Sequence, residues 1–162
     1  AIAAFSGVEH RLEPAGEIDG VVFINDSIAT TPSRTIAALA AMERPIALIA
    51  GGYDKHLPFD EMARLALGRV HTVALVGVTA DKIAQAFEEA ADRAGVQPPT
   101  IIRADTFREA VEAARLAARP GDAVLLSPAC ASYGLFRNFE ERGRTFKQLV
   151  SEFAAEAGEA GE

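Results

Sequence analysis

The sequence predicts an α/β fold: a Rossmann-like, mostly parallel sheet of about six strands, with an N-terminal antiparallel edge strand and helices on both faces. Three observations carry this expectation. Short apolar runs alternate with segments of helical period, the order of a sheet built from repeated α-β units. The runs Val21–Ile24, Ile46–Ala50 and Ala123–Leu126 are separated by such helical segments and so read as parallel strands. Each also runs into a cluster of polar and small residues, and in parallel sheets ligands bind outside the carboxyl ends of the strands. If the three strands are parallel, the three clusters share one edge and one site.

The elements follow in order. Residues 1–10 read as a linker or entry segment left from a longer chain, because Ala1 to Phe5 has no basic region before its apolar residues and is no signal peptide. Arg11 to Ile18 and Val21 to Ile24 flank Asp19-Gly20, a hairpin turn signal. Thr31-Pro32-Ser33 opens a helix to about Met42, with proline in the first turn. Pro45 precedes the second core strand. Pro58 starts a helix with Phe59, Met62, Ala63, Leu65 and Ala66 on one face, ending near Gly68. Thr72 to Val76 is a strand. Thr79 to Ala94 is amphipathic through Ile83, Ala86, Phe87 and Ala90, and Gly95 stops it. Thr100 to Ile102 is a short strand. Asp105 or Thr106 caps a helix with Phe107, Ala110, Val111, Ala114, Ala117 and Ala118 inward. After the Ala123 strand, Phe146, Leu149, Val150 and Phe153 mark a final packing helix. Residues 154–162, alanine, glycine and glutamate, read as a flexible, fraying tail.

The 162 residues suit one domain with a real core. A net charge of −7 argues against nonspecific nucleic-acid binding, which needs a basic surface. It does not oppose a small anion held by a few local donors. The single cysteine, Cys130, can form no internal disulfide and suits a reducing compartment. No apolar run approaches the roughly 20 residues of a membrane span.

At the first strand exit, Asn25-Asp26-Ser27 reads on pattern as a turn-and-cap cluster. Its functional reading gives Asp26 a ribose-like diol and Thr30, at a helix start, a carboxylate. At the second, Gly51-Gly52 allows close backbone approach, and Lys55 is either a solvated lysine or a cationic partner for a substrate carboxylate. The Walker pattern is absent. At the third, Ser127-Pro128-Ala129-Cys130-Ala131-Ser132 supplies two hydroxyls. No charged neighbour lowers the Cys130 pKa, so it reads as a buried structural cysteine. His10, His56 and His71 have no metal-ligand spacing, so no metal site is expected. Phe139 near the Ser132 loop can wall a small-ligand pocket.

His10-Arg11-Leu12-Glu13, Ile24-Asn25-Asp26-Ser27 with Ala29-Thr30, Gly51-Gly52 with Lys55, Leu126 to Ser132, and Phe136 to Phe139 with Glu140, Arg142 and Gly143 together resemble the third domain of the Mur ligases. The resemblance spans about residues 5–152, with 11–153 as the C-terminal, amino-acid-binding domain. It implies a monomeric cytoplasmic enzyme of peptidoglycan synthesis. In that enzyme ATP phosphorylates the carboxyl of UDP-N-acetylmuramoyl-L-alanine and the amine of D-glutamate attacks the acyl phosphate. ATP and Mg2+ would be held mainly by a central domain carrying the P-loop, so this chain alone would be inactive and hold no catalytic residue. By the same resemblance, Thr30 and Lys55 hold one glutamate carboxylate. Ser132, the backbone at Tyr133, and Phe139 surround the other. Asp26 reaches the ribose and Arg11 the phosphates. Three residues depart from the family pattern: Ile28 stands where some members have lysine, Gly134 where aspartate is common, and Tyr133 where leucine occurs. They bear on the shape of the glutamate pocket, and an L-glutamate-specific relative is an alternative. Folylpolyglutamate synthetase shares the architecture, but the Asn-Asp-Ser and Ser-Pro-Ala-Cys-Ala-Ser motifs favour the muramoyl branch. Outside the class stands a non-catalytic dicarboxylate-binding module. A dinucleotide-binding oxidoreductase is disfavoured, because no G-x-G-x-x-G follows the first core strand.

Overall fold

The computed structural model describes residues 7–160. In chain order the elements are β1 (Glu13–Ile18), β2 (Val21–Asn25), α1 (Pro32–Ala41), β3 (Ile46–Ala50), α2 (Asp60–Ala66), β4 (Val70–Leu75), α3 (Ala80–Ala94), β5 (Thr100–Arg103), α4 (Phe107–Ala117), β6 (Ala123–Leu126) and α5 (Phe139–Ala160). They form one six-stranded sheet in the order β1-β2-β6-β3-β4-β5. Only the β1–β2 pair is antiparallel. Its two-residue loop has positive φ at both Asp19 (51°) and Gly20 (82°), the backbone that matches strand twist in a tight hairpin.

Alternate strand residues face two layers. Val22, Ile24, Leu48, Val73, Leu75 and Leu125 pack with α1, α2 and α3. Phe23, Ile49, Ala74, Val124 and Leu126 pack with α4 and α5. Every residue of β2, β3 and β6 is buried, as expected of strands covered on both faces. Because β6 lies between β2 and β3, the helices that follow neighbouring strands leave toward opposite layers. That is the switch-point geometry that opens a crevice at the carboxyl edge.

Helix ends follow local chemistry. Thr106, not Asp105, caps α4, accepting the Glu109 N–H at 3.1 Å. Gly95 closes α3 in the left-handed conformation. Two sequence expectations change. Leu65 is 38% exposed, because it lies about 100° off the stripe formed by Phe59, Met62, Ala63 and Ala66. The segment expected to fray continues α5 as far as Ala160. Its alanines and glutamates favour helix, and Ala157 rests against the apolar layer beneath. The rest of that tail (161–162) and residues 1–6 of the expected linker lie outside the described residues.

Two glycines of α5 make a matched test. A Cβ on Gly143 would overlap the His10 ring and crowd the Asn25 amide, whereas one on Gly158 would meet nothing within 4 Å. Gly143→Ala should cost about 1–3 kcal/mol as overpacking. Gly158→Ala should stabilise by up to about 1 kcal/mol. Urea melts of the two variants read the difference directly.

Candidate functional site

The strand order brings the three predicted clusters side by side, and backbone hydrogen bonds tie them together. Asp26 N–H donates to the Leu126 carbonyl (2.7 Å), Gly51 N–H to Pro128 (3.0 Å) and Tyr53 N–H to Ala131 (2.9 Å). The Tyr53–Ala131 pair is an antiparallel bridge beyond the strands. It links the loop carrying Lys55 to the loop carrying Ser132. Close approach here requires glycine. A Cβ on Gly51 (φ 110°) would run into the Val76 carbonyl, and one on Gly52 (φ 153°) would lie 2.5 Å from the Ala131 carbonyl. Ala129, at φ 62°, holds a left-handed conformation despite its Cβ, a local strain of a kind that clusters at functional sites.

Asp26 is buried at the β2 exit. Its Oδ1 accepts the Leu12 N–H (3.1 Å) and its Oδ2 the Ser127 hydroxyl (2.7 Å). Burial pushes its carboxyl up to about 6, against the opposing pull of these bonds and of Arg11 and Arg34. Arg11 is exposed and lines the same cleft as Asp26, a volume of about 220 Å³ that also contains Ile28 and Arg34.

On the other side of β6, Ser132 is 3% exposed while Tyr133 is 59% exposed. The Tyr133 ring meets Tyr53 edge-on at 5.8 Å. Thr30 and Phe139 are half-buried and Lys55 is exposed. Asp54, next to Lys55, is already occupied: it accepts the His56 N–H at 2.7 Å and pairs with Lys82 at 3.4 Å. Among the described residues Lys55 has no ion pair or hydrogen bond, so its ammonium is available to an incoming carboxylate. Cys130 is buried beside Thr79 (3.4 Å), and burial pushes its thiol up. The thiol is thus kept protonated and unreactive, as the sequence suggested.

Three groups escaped assignment from the sequence. Arg142 on α5 is 2% exposed. Its guanidinium donates to Ser27 Oγ (3.0 Å), the Ser27 carbonyl (2.8 Å) and the Cys130 carbonyl (3.0 Å), spanning the β2 and β6 exits. Its signal was present: residue 142 shares a helical stripe with Phe139, Phe146, Leu149 and Phe153, so periodicity places it inward. Asn25 donates to Glu13 Oε1 (2.9 Å) and lies 3.0 Å from His10 Nδ1, while its Oδ1 accepts the Ser27 N–H (3.2 Å). That last bond fixes the amide, so His10 Nδ1 accepts and its proton sits on Nε2. Nε2 is 2.7 Å from Glu9 Oε1 but outside hydrogen-bond geometry. The His10 ring meets Phe139 edge-on at 5.9 Å.

A larger cleft, about 450 Å³, lies between α2 and α3 and mixes Asp60, Glu61 and Glu89 with Arg64 and Arg93. No strand-end residue reaches it. Among the described residues no group of three histidine, cysteine or acidic side chains could hold a metal ion. No described helix is long and apolar enough to cross a membrane.

The Asp26 environment gives a pH signature. Its folded value, about 6, is above the ordinary 3.8. Its contribution to stability is therefore full below pH 3.8 and lost as pH rises through 6, on the order of 2–3 kcal/mol. Asp26→Asn should remove that segment from a plot of unfolding free energy against pH. A variant that keeps the wild-type slope between pH 4 and 6 would place the proton elsewhere.

The family model described as "Mur ligase, glutamate ligase domain" matches residues 10–130. The chain is 55% identical over 149 residues to UDP-N-acetylmuramoylalanine–D-glutamate ligase of Symbiobacterium thermophilum, covering 92% of this chain and 32% of that protein. It is 50% identical over 147 residues to the same-named enzyme of Clostridium novyi, covering 91% and 32%. Among solved structures, a murein peptide ligase from Psychrobacter arcticus shares the fold, with a TM-score of 0.57 at 15% identity over 90% of this chain and 31% of that one. Folylpolyglutamate synthase from Thermotoga maritima also shares it, with a TM-score of 0.53 at 15% identity over 75% and 28%. The chain spans about a third of the length of the curated relatives it matches, and it belongs to the Mur ligase family through its glutamate ligase domain.

Proposed function

We propose that residues 11–153 are the C-terminal, amino-acid-binding domain of a monomeric cytoplasmic ligase that adds D-glutamate to UDP-N-acetylmuramoyl-L-alanine in peptidoglycan synthesis. The observation that carries this reading is the Tyr53–Ala131 bridge, which joins the loops of Lys55 and Ser132 at one sheet edge. Two separated anchors suit a ligand with two carboxylates. Lys55 and Thr30, the latter at the start of α1, take one carboxylate. Ser132 and the Tyr133 backbone take the other, and the half-buried Phe139 walls the pocket. Fixing both ends aims the amine at its target, a proximity contribution to the rate.

The nucleotide side is a separate cleft. Asp26 has an unused lone pair on each oxygen for a ribose hydroxyl, and Arg11 faces the phosphates. This donor set fits a nucleotide. ATP, with Mg2+, supplies the activation of the muramoyl substrate's carboxyl. No Walker pattern occurs in these 162 residues, so that chemistry belongs to another domain and this chain alone is inactive. An L-glutamate-specific ligase would use the same anchors. A non-catalytic dicarboxylate sensor would need neither Asp26 nor Arg11 in a nucleotide cleft.

In the full-length ligase, Lys55→Ala should weaken glutamate use by about 1.5–3 kcal/mol, the worth of a charge-assisted hydrogen bond. The loss should appear in the glutamate KM or kcat/KM, with the ATP KM unchanged. Lys82→Ala should move the same constant less far, because a freed Asp54 competes for Lys55. Turnover assays with D- and L-glutamate decide the rest. Unchanged glutamate constants would refute the role of Lys55. Turnover with L-glutamate alone would move the enzyme to the L-specific branch, and turnover with neither would favour the sensor.

A further inference from the structure

The cleft beside Asp26 contains a group that neither the motifs nor the family resemblance assigns. Arg34, the third residue of α1, lines it together with Arg11. Its other walls are largely apolar, with Leu12 and Ile28 from the loops and Ala37 and Ala38 from α1. Asp26 lies at the buried end. The charges of Arg11 and Arg34 both act on Asp26. Among the described residues, however, neither side chain forms an ion pair or hydrogen bond. Two unpaired guanidiniums therefore face one small cleft with a hydroxyl-accepting carboxylate beneath them.

Arg34 is also in a poor place for helix stability. It sits in the first turn of α1, which contains no acidic residue. A cation there opposes the helix dipole, a local cost of about 0.3–1 kcal/mol. Departures from a local rule without a structural return mark functional positions. A ligand that uses every part of the cleft has hydroxyls for Asp26, an apolar ring body for the walls, and more than one negative charge for the two cations. A nucleoside polyphosphate has that chemistry. A guanidinium fork suits phosphate oxygens because it donates two parallel hydrogen bonds.

We propose that Arg34 is a second phosphate-binding cation of the nucleotide cleft, acting together with Arg11. This inference rests on the reading of the cleft given above. Its test is ADP and ATP binding by calorimetry to the full-length ligase, with Arg34→Ala, Arg34→Lys, Arg34→Gln and Arg11→Ala compared at one salt concentration. Arg34→Ala should raise the nucleotide Kd by about ten-fold or more, and lysine should recover part of the loss. The glutamate KM should not move. The Tm of Arg34→Gln should be unchanged or slightly higher, since the dipole clash is relieved, so a folding defect cannot imitate the effect. If Arg11→Ala weakens binding while the Arg34 variants stay within two-fold of wild type, Arg34 has no such role and the cleft reading stands. If neither arginine matters, the nucleotide is not held in this cleft, and both readings fall.

Discussion

The structure depends on one buried cation. Arg142 reaches from α5 under the sheet edge and donates three hydrogen bonds to oxygens of Ser27 and Cys130. It has no carboxylate partner in that network. Burial lowers its pKa to about 10, still well above neutrality, so the group stays charged and must be solvated by the protein. Dipoles of the β2 and β6 exits do this. A charge buried without such partners costs several kcal/mol, so the two exits are held in one arrangement whenever the domain is folded. Ser27 then passes the constraint back, donating to the Phe139 carbonyl at 2.7 Å and so fixing the start of α5.

The same constraint couples the two halves of the site. Asp26 follows Asn25 on the Arg142-held loop, and Ser132 follows Cys130 on the other. The glycines of the β3 exit let a third loop come close enough to join them through Tyr53 and Ala131. Lys55, Arg11 and Arg34, which neither ion pairs nor side-chain hydrogen bonds occupy among the described residues, stand exposed around this frame. Rigid, buried donors thus set the frame, and exposed cations complete it. This division is the one that the proposed amino-acid and nucleotide sites would use.

The architecture was legible in the sequence because its signals were local. Unbroken apolar runs gave β2, β3 and β6, Asp19-Gly20 gave the hairpin, and Gly95 gave the end of α3. The convergence of the three clusters was also legible, since parallel strands place their exits on one edge. What was not legible depends on contacts far apart in sequence. Periodicity turns Arg142 inward, but nothing local names its partners at Ser27, 115 residues away. The need for Gly143 comes only from the His10 ring against it. Residues 154–160 continue α5, as the helix propensity of alanine and glutamate allows. Arg34 belongs to no motif, and only the fold brings it into one cleft with Arg11.

The most direct test of the converging site is an amide-shift NMR titration of this chain with D-glutamate and then L-glutamate. The account predicts that D-glutamate shifts Thr30, Lys55, Ser132, Tyr133 and Phe139 together, saturating with one common Kd and leaving the α2–α3 cleft untouched. Shifts confined to one loop, shifts with unrelated Kd values, or no response to either enantiomer would contradict it.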